Sequence, residues 1–213
     1  MAKTTSIITI GRQYGSGGRY VGEMLAERLD IPFYDKSILS EAARDSGICE
    51  ELFEEHDERP TRSLLFSMIS GNAIGGDASG YMGMPLQHKI FLAQFDTIRR
   101  VAGEGPCVIV GRCADYVLRD YPNTLKIFIK APLVNRVARA IDRGADPNRA
   151  EDVVRKADKQ RASYYNYYAT ATWGDVNNYD LVLDTSTLGY EGSVDLLEQY
   201  IKMHDRNKML GKI

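Results

Sequence analysis

The 213-residue chain is 44% hydrophobic and 26% charged, the balance of an ordinary globular protein that can bury its own core. Its 27 basic and 29 acidic residues give a formal net charge of −2, which argues against a general nucleic-acid binder. Three cysteines without metal-like spacing fit a reducing cytoplasm rather than a disulfide framework or a zinc site. No apolar run reaches the length of a membrane span, and residues 1–5 lack the apolar stretch of a signal peptide, so we expect no membrane association.

Strand and helix patterns alternate along the chain. Short apolar runs rich in β-branched residues predict strands at 6–10, 31–34, 107–110, 125–129 and 181–183. Apolar residues at helical spacing predict helices at 19–29, 112–118, 133–141, 150–169 and 191–203, and helical patterns dominate 36–102. Strands that alternate with helices indicate an α/β fold with a mostly parallel sheet covered on both faces.

Two polar stretches interrupt this alternation. Residues 45–85 hold an acidic cluster and then a glycine-rich piece, which fits either a solvated helix face with a flexible loop or a substrate-binding lobe with a mobile lid. Residues 143–178 are rich in arginine and tyrosine and fit an exposed helical hairpin or a lid over a phosphate site. The tyrosine cluster within Tyr164–Tyr168 predicts packing against the core or a dimer contact, with base stacking as the alternative.

A glycine-rich segment joins the first strand to the first helix. Glycines at this place let backbone N–H groups wrap an anion, and the helix N-terminus adds partial positive charge. We therefore predict a phosphate-binding loop, with a plain turn as the alternative. The predicted phosphate-binding residues are Arg12, Gly15, Ser16, Gly17, Gly18 and Arg19.

This loop departs from the usual pattern Gly-x-x-x-x-Gly-Lys-Ser/Thr. Gly18 takes the place of the lysine, and Arg19 takes the place of the serine or threonine that binds magnesium. Because a guanidinium binds phosphate oxygens in pairs, Arg19 is predicted to reach the β- and γ-phosphates of a nucleotide. An arginine cannot bind magnesium, so the metal ligands stay unassigned.

Four segments then form an ordered set along the chain. They are Gly15-Ser16-Gly17-Gly18-Arg19, Phe33-Tyr34-Asp35-Lys36, the stretch Val108 to Asp115, and Asp158-x-x-Arg161 followed by Trp173-Gly174-Asp175 and Tyr179 to Thr185. In this order and spacing the chain resembles the cytidylate kinase-like family of P-loop proteins, which are relatives of the nucleoside monophosphate kinases. The resemblance covers most of the chain.

The resemblance implies a fold, an activity and cofactors. The fold would be the three-layer α/β/α sandwich of P-loop NTPases, with a helical monophosphate-binding insertion and a lid. A single domain is implied, with its core at 1–35, 103–142 and 179–213, the insertion at about 36–102 and the lid at about 143–178. ATP with Mg²⁺ would be the donor, and a nucleoside monophosphate such as CMP or dCMP the acceptor.

The resemblance also implies roles for individual residues. Arg112 would hold the acceptor phosphate, and Arg161 would bridge the donor and acceptor phosphates while Asp158 orients it. Thr185 and its neighbours would border the adenine. Arg19, Arg161 and Asp158 are thus the predicted catalytic residues.

Two carboxylates near the strand ends have open interpretations. Asp35 is predicted to serve the acceptor site, as a metal or base ligand, or else to cap the helix that follows it. Asp115 is interpreted as a plain helix-surface carboxylate. Six arginines lie between Arg136 and Arg161, and apart from Arg161 they are expected to solvate helix faces.

Two further functions remain open at this point. One is a non-catalytic nucleotide-binding sensor on a kinase scaffold, which the altered loop favours and the retained Arg161 and Asp158 disfavour. The other is a kinase for a non-nucleotide acceptor. The protein is expected to be a monomer or a homodimer in the cytoplasm, and to bind a nucleotide or another small phosphorylatable substrate.

Overall fold

A computed structural model of the chain describes residues 3–35, 37–47 and 86–212. Its strands are β1 (Ile7–Arg12), β2 (Phe33–Tyr34), β3 (Val108–Val110), β4 (Thr124–Lys130) and β5 (Leu181–Asp184). Its helices are α1 (Gly18–Leu29), α2 (Ser37–Ser46), α3 (Leu86–Glu104), α4 (Ala114–Val117), α5 (Leu133–Asp142), α6 (Ala150–Tyr168) and α7 (Thr185–Met209), and a 3-10 turn spans Val176–Asn178.

The described strands form one parallel sheet in the order β2-β3-β1-β4-β5. Strand β1 lies at its centre and pairs with β4 from Ile7 opposite Thr124 to Arg12 opposite Ile129. Because parallel strands all end at the same edge, the loops after β1, β2 and β3 lie side by side there. The predicted parallel α/β architecture is confirmed.

Apolar side chains on both faces of the sheet explain why helices cover it. On one face α1 and α7 pack against β1 and β4, and on the other α2, α3 and α4 pack against β1 and β3. The first layer buries Val21, Leu25, Leu29, Val194, Leu197 and Ile201, and the second buries Ile38, Ile98, Val101, Val117 and Leu118. The result is the three-layer α/β/α sandwich of P-loop kinases.

Among the element boundaries that differ from the sequence prediction, three have a clear structural cause. Strand β1 continues through Gly11 to Arg12, because its ladder with β4 extends to that point. The helix after β3 begins at Ala114 rather than at Arg112, because Arg112 and Cys113 have left-handed φ angles of 54° and 55° that no α-helix accepts. Helix α7 begins at Thr185 rather than near 191, and Gly189 kinks it with a φ of 68°.

Several predicted features lie outside the described residues. These are the acidic cluster, the glycine-rich piece at 70–80, Lys36, Cys49 and His56. The division into core, insertion and lid is not tested and stays a prediction. Within the described ranges, no helix combines the length and the apolarity needed to cross a membrane.

Candidate active site

The segment between β1 and α1, residues 13–17, is called the glycine loop here. Gly15 and Gly17 have φ angles of 74° and 85°, which L-residues rarely adopt. A Cβ atom at Gly15 would lie 2.8 Å from the carbonyl oxygen of Arg136, and one at Gly17 would overlap the ring of Tyr190. Both positions therefore need glycine for backbone conformation and for space.

The glycine loop is supported from beneath by α7 and α5. The hydroxyl of Thr185 donates to the carbonyl oxygen of Ser16 at 2.6 Å, and Arg139 donates to the same oxygen at 3.0 Å. Thr185 is fully buried and accepts a further hydrogen bond from Arg139. The Thr185 side chain is thus engaged in supporting the loop, and the prediction that Thr185 and its neighbours border the adenine is not tested and stays a prediction. The Ser16 side chain is also buried and donates to the carbonyl oxygen of Gln13, so Ser16 is left with its backbone for phosphate contacts.

A second support comes from α6. One carboxylate oxygen of Asp158 accepts the backbone N–H of Tyr14 at 2.7 Å, and the other accepts Arg136 at 2.5 Å. Arg136 also donates to the carbonyl oxygens of Tyr14 and Ala131. Asp158 therefore holds the glycine loop against α5 and does not orient Arg161 directly, which corrects the sequence interpretation.

Arg136 and Arg139 were expected only to solvate helix faces, and that expectation is wrong. Arg136 is buried, and Arg139 donates to the carbonyl oxygens of Gly15 and Ser16. The sequence carries a weak signal for this role, because both residues lie three apart on one face of α5, immediately after the strand that neighbours β1.

Above the glycine loop lies a cleft of about 220 Å³, called the outer cleft here. Among the described residues, five arginines from four separate segments of the chain line this cleft with their guanidinium groups. One carboxylate lines it as well. The charged residues are Arg12, Arg19, Arg112, Arg143, Arg161 and Asp35. The predicted phosphate-binding and acceptor-binding arginines are thus brought to one place.

Asp35 lies between two of these arginines. Its Oδ2 accepts Arg19 Nε at 2.8 Å, and its Oδ1 accepts an Arg112 nitrogen at 3.3 Å. The side chain of Arg112 is 1% exposed and that of Asp35 10%, whereas that of Arg19 is 54% exposed. The carboxylate thus pairs with two guanidinium groups. Its predicted place in the acceptor site and the helix-cap alternative are not tested and stay predictions.

Arg161 reaches the outer cleft from α6. It donates to the carbonyl oxygen of Arg12 at 3.3 Å, at the end of β1, and its guanidinium lies 5.7 Å from the ring centre of Tyr14. Arg161 therefore lies in the outer cleft beside the end of β1 and the glycine loop. Its predicted role in catalysis is not tested and stays a prediction.

Behind the outer cleft lies a smaller cavity, called the inner cavity here, between the ends of β1 and β3 and the end of α6. Asp115 lines it and is only 8% exposed, which corrects its interpretation as a surface carboxylate. It accepts the hydroxyl of Tyr165 at 2.6 Å. Burial raises the pKa of Asp115, and the hydrogen bond from Tyr165 acts in the opposite direction without cancelling it.

The tyrosine cluster packs α6 against the rest of the protein. Tyr164 and Tyr165 are buried, and the ring of Tyr168 stacks on Phe91 of α3 with centroids 3.9 Å apart. Tyr167 is the exposed member. This agrees with the predicted packing role.

The outer cleft suits phosphate oxygens better than a metal ion. No group of three or more histidine, cysteine, aspartate or glutamate side chains that could hold a metal occurs in the described part of the chain. Among the described residues, Asp35 is the carboxylate that lines the outer cleft, and both of its oxygens are engaged by arginines. In this part of the chain Asp35 is therefore the candidate protein ligand for the magnesium ion that the resemblance implies.

Comparison with known proteins places this geometry in a family. The cytidylate kinase-like family matches the chain over residues 7–187. A cytidylate kinase of Methanopyrus kandleri is 27% identical, with 94% of this chain and 95% of that protein aligned. A cytidylate kinase of Methanosarcina barkeri is 31% identical over 94 residues, which is 43% of this chain. The Methanosarcina alignments cover about half of each relative's own length: 52% of the Methanosarcina barkeri protein and 51% of a cytidylate kinase from Methanosarcina acetivorans.

Solved structures agree on the fold. An uncharacterized protein from Eubacterium ventriosum is 30% identical with a TM-score of 0.69, over 92% of this chain and 98% of that one. A shikimate kinase from Bacteroides thetaiotaomicron has a TM-score of 0.54 at 15% identity, over 92% of this chain and 98% of that one, and shows the shared fold alone. With the glycine loop, the arginine-lined cleft and a family match over most of its length, the chain belongs to the cytidylate kinase-like family.

Proposed function

We propose that this protein transfers the γ-phosphate of ATP to a nucleoside monophosphate, with CMP and dCMP as the first candidates. The observation that carries the proposal is the outer cleft, where five guanidinium groups and one carboxylate surround the glycine loop. The family supports a nucleotide or small-molecule kinase, and the choice of acceptor is part of the proposal.

The charge of the outer cleft fits two phosphorylated ligands. A donor triphosphate and an acceptor monophosphate repel each other strongly, so phosphoryl transfer depends on positioning and on charge neutralisation more than on covalent chemistry. Guanidinium groups supply both, because they bind phosphate oxygens in a fixed paired geometry. A single nucleotide held for binding alone would need fewer of them.

The positions of three arginines suggest a separate role for each. Arg19 lies at the first turn of α1 beside the glycine loop and is exposed, so it can reach donor phosphates. Arg112 follows β3 and is placed to hold an acceptor phosphate. Arg161 lies between them on α6, where it would stabilise the charge of the phosphoryl group in transit.

Asp35 pairs with both Arg19 and Arg112 in this structure, and Arg19 pairs with Glu23 as well. A phosphate that enters between Arg19 and Arg112 brings paired acceptor oxygens, as the carboxylate does, and more negative charge. Asp35 would then be free to face the acceptor or a magnesium ion carried by the phosphates. When bound, magnesium supplies further neutralisation of the phosphate charge.

A nucleotide-binding sensor is the second candidate. The observation that favours it is Arg19 in the place of the magnesium-binding hydroxyl, together with the engagement of both oxygens of Asp35 by arginines. A sensor would bind ATP in the same cleft with no acceptor-dependent turnover. A kinase for a non-nucleotide acceptor is distinguished from both by its substrate.

A coupled ADP-release assay tests the proposal. Purified protein with ATP and magnesium is given CMP, dCMP, UMP, AMP or GMP in turn. We expect acceptor-dependent ADP release with at least one of them. Saturable ATP binding without such release would favour the sensor or a different acceptor, and the absence of both would contradict a phosphate role for the glycine loop.

Substitution of Arg161 tests its role in the same assay. We expect Arg161→Ala to lower kcat by about 100-fold or more, because a transition-state charge contact is lost, and to leave the melting temperature within a few degrees. Arg155→Ala is the matched control on the same helix, since Arg155 is exposed and pairs with Glu151 one turn earlier. An unchanged kcat in Arg161→Ala would remove Arg161 from the catalytic residues.

A further inference from the structure

The inner cavity is continuous in its lining with the outer cleft. The two share Arg12, Arg112 and Arg161 as a common wall. Gly11 and Gly111 line the cavity where β1 and β3 end, and neither contributes a side chain to fill it. A ligand held by these arginines is thus adjacent to the cavity opening.

Tyr179 carries an unusual polar atom in this cavity. Its hydroxyl is buried and has no partner in good hydrogen-bond geometry in the described part of the chain, although the backbone of Gly174 and the Tyr165 hydroxyl lie beside it and make weak contacts with it. The side chain is 9% exposed, and its ring packs on Phe128 with centroids 4.9 Å apart. Buried polar groups normally have well-formed hydrogen bonds, so a hydroxyl that lines a cavity with only weak contacts indicates that a further group can bind there.

Burial keeps this hydroxyl in the form that donates a hydrogen bond. Burial raises the pKa of Tyr179 and the charge of Asp115 raises it further, while weak hydrogen-bonding contacts with the backbone of Gly174 and the side chain of Tyr165 lower it without cancelling the rise. A Cβ atom at Gly11 would lie 3.2 Å from the Tyr179 hydroxyl and 2.8 Å from the Phe128 ring. Glycine at position 11 therefore keeps the space beside the hydroxyl open.

Polar groups beside Tyr179 offer hydrogen-bond acceptors. The Tyr165 hydroxyl donates its proton to Asp115, so its oxygen keeps lone pairs, and the carboxyl group of Asp115 lines the same cavity. Tyr164 and Trp173 add aromatic surface. The cavity thus combines donors, namely the Tyr179 hydroxyl and the arginines of the common wall, with acceptors and aromatic rings, which suits a hydroxyl, amino or carbonyl group.

The size of the cavity limits what can enter. Its volume of about 20 Å³ is close to the minimum for one water molecule. A nucleobase or a sugar ring is several times larger and cannot lie within it. A single polar group that projects from such a ring does fit.

We propose that the inner cavity is a specificity subsite that takes one polar group from the non-phosphate end of the acceptor, and that the Tyr179 hydroxyl binds this group. Tyr165 and Asp115, which line the same cavity, supply acceptors for this group. The proposal rests on the proposed kinase function, since it concerns the acceptor of that reaction. It predicts selectivity between acceptors that differ by one hydrogen-bonding group.

Three nucleotides that differ by single groups test the proposal. CMP and UMP differ where the ring carries an amino or a carbonyl group, and CMP and dCMP differ by one sugar hydroxyl. The ratio of kcat/KM is measured for each pair in the wild-type protein and in Tyr179→Phe. We expect one of the two ratios to change by about tenfold in the variant, the effect of one hydrogen bond, while KM for ATP stays the same. Asp115→Asn is expected to change the same ratio.

Tyr200→Phe is the matched control, because it also removes a phenol hydroxyl, one that donates to the carbonyl oxygen of Asp180 away from both cavities. If Tyr179→Phe leaves both ratios unchanged and melts at a higher temperature, the cavity holds only a structural water or an unpaired hydroxyl, and the subsite is overturned while the kinase function stands. If the wild-type protein turns over none of the three nucleotides although ADP raises its melting temperature, the proposed function fails and the subsite fails with it.

Discussion

Gly17 shows how strictly a single residue of the glycine loop is determined. Its φ of 85° lies in the left-handed region, and Tyr190 occupies the space that a Cβ atom would need. Tyr190 in turn lies under Arg139, 5.0 Å from ring centre to guanidinium carbon, and Arg139 supports the backbone of Ser16. A side chain at position 17 would therefore disturb the whole support of the loop.

Gly17→Ala should destabilise the protein and weaken nucleotide binding together. The backbone conformation costs about 1–2 kcal/mol for an L-residue, and overlap with the Tyr190 ring adds about 1–3 kcal/mol. Urea unfolding measures the free energy of unfolding, and ATP titration measures the affinity.

Gly144→Ala separates the cost of the backbone conformation from the cost of steric overlap. Gly144 has a similar φ of 93°, but a Cβ atom there would have no neighbour within 4 Å. We expect only the conformational cost of about 1–2 kcal/mol and little change in ATP affinity. Equal losses in the two variants would contradict the steric role of Tyr190.

Helix α6 connects three parts of the site. Asp158 ties it to the glycine loop and to α5, Arg161 extends from it into the outer cleft, and Tyr165 reaches Asp115 on α4. The contacts are spaced along one side of the helix, at positions three and four residues apart. Any shift of α6 would therefore move the glycine loop, Arg161 and the inner cavity together.

Asp158→Ala should disconnect the glycine loop from α6. Asp158 and Arg136 are mostly buried, with side chains 17% and 9% exposed. Removing the carboxylate leaves the Arg136 charge and the Tyr14 N–H without their partner, at a cost of about 3 kcal/mol. Thermal unfolding measures this loss, and the affinity for ATP should fall with it.

The pair of Arg155 and Glu151 on the same helix provides the comparison. Both side chains are exposed, at 62% and 56%, and lie one turn apart. Glu151→Ala should change the free energy of unfolding by no more than about 0.5 kcal/mol. If Asp158→Ala is equally mild, the ion pair with Arg136 does not hold the loop.

At the scale of the whole molecule, the two ends of the described chain contact each other at the end of the sheet that lies away from the site. Asp205, near the end of α7, accepts the hydroxyls of Thr4 and Ser6 at 2.6 Å each and the N–H of Thr5 at 3.3 Å. These bonds anchor the final helix to the residues that lead into β1. The central strand is thereby fixed at its start, and the glycine loop follows at its other end.

This anchor makes stability depend on pH in a defined direction. Burial alone would raise the pKa of Asp205, but the hydrogen bonds from Ser6 and Thr4 outweigh it and lower the pKa below the ordinary value of 3.8. A carboxylate with a lowered pKa stabilises the folded state above its unfolded pKa and loses that contribution as pH falls through the folded pKa.

Urea unfolding of the wild-type protein and of Asp205→Asn measures this dependence. We expect the wild type to be more stable at pH 7, and the difference to shrink below about pH 4 as the carboxylate takes up a proton. Groups that have no contact with Asp205 cancel in the difference, whereas His204, with its Nδ1 3.6 Å from an Asp205 oxygen, does not. A difference that is constant from pH 7 to pH 3 would contradict the prediction.

Local patterns in the sequence determine the secondary structure and the position of the glycine loop. The alternation of apolar runs predicts the parallel sheet, and the glycines between β1 and α1 predict where an anion binds, because both signals lie within about ten residues of chain. Arg112 and Asp35 were also recognisable, since each follows a strand whose end meets the loop edge of the sheet.

The tertiary structure alone decides which polar side chains support the loop and which face a cavity. Asp158 and Tyr14 are 144 residues apart in the chain, and Tyr165 and Asp115 are 50 apart, so no local pattern connects them. Arg136 and Arg139 resemble any solvated arginines on a helix until α5 is packed against the glycine loop. The sequence thus determined the layers of the fold and the glycine loop, through local periodicity and turn chemistry. The side chains that support the loop and the inner cavity depend on contacts that only long-range packing creates.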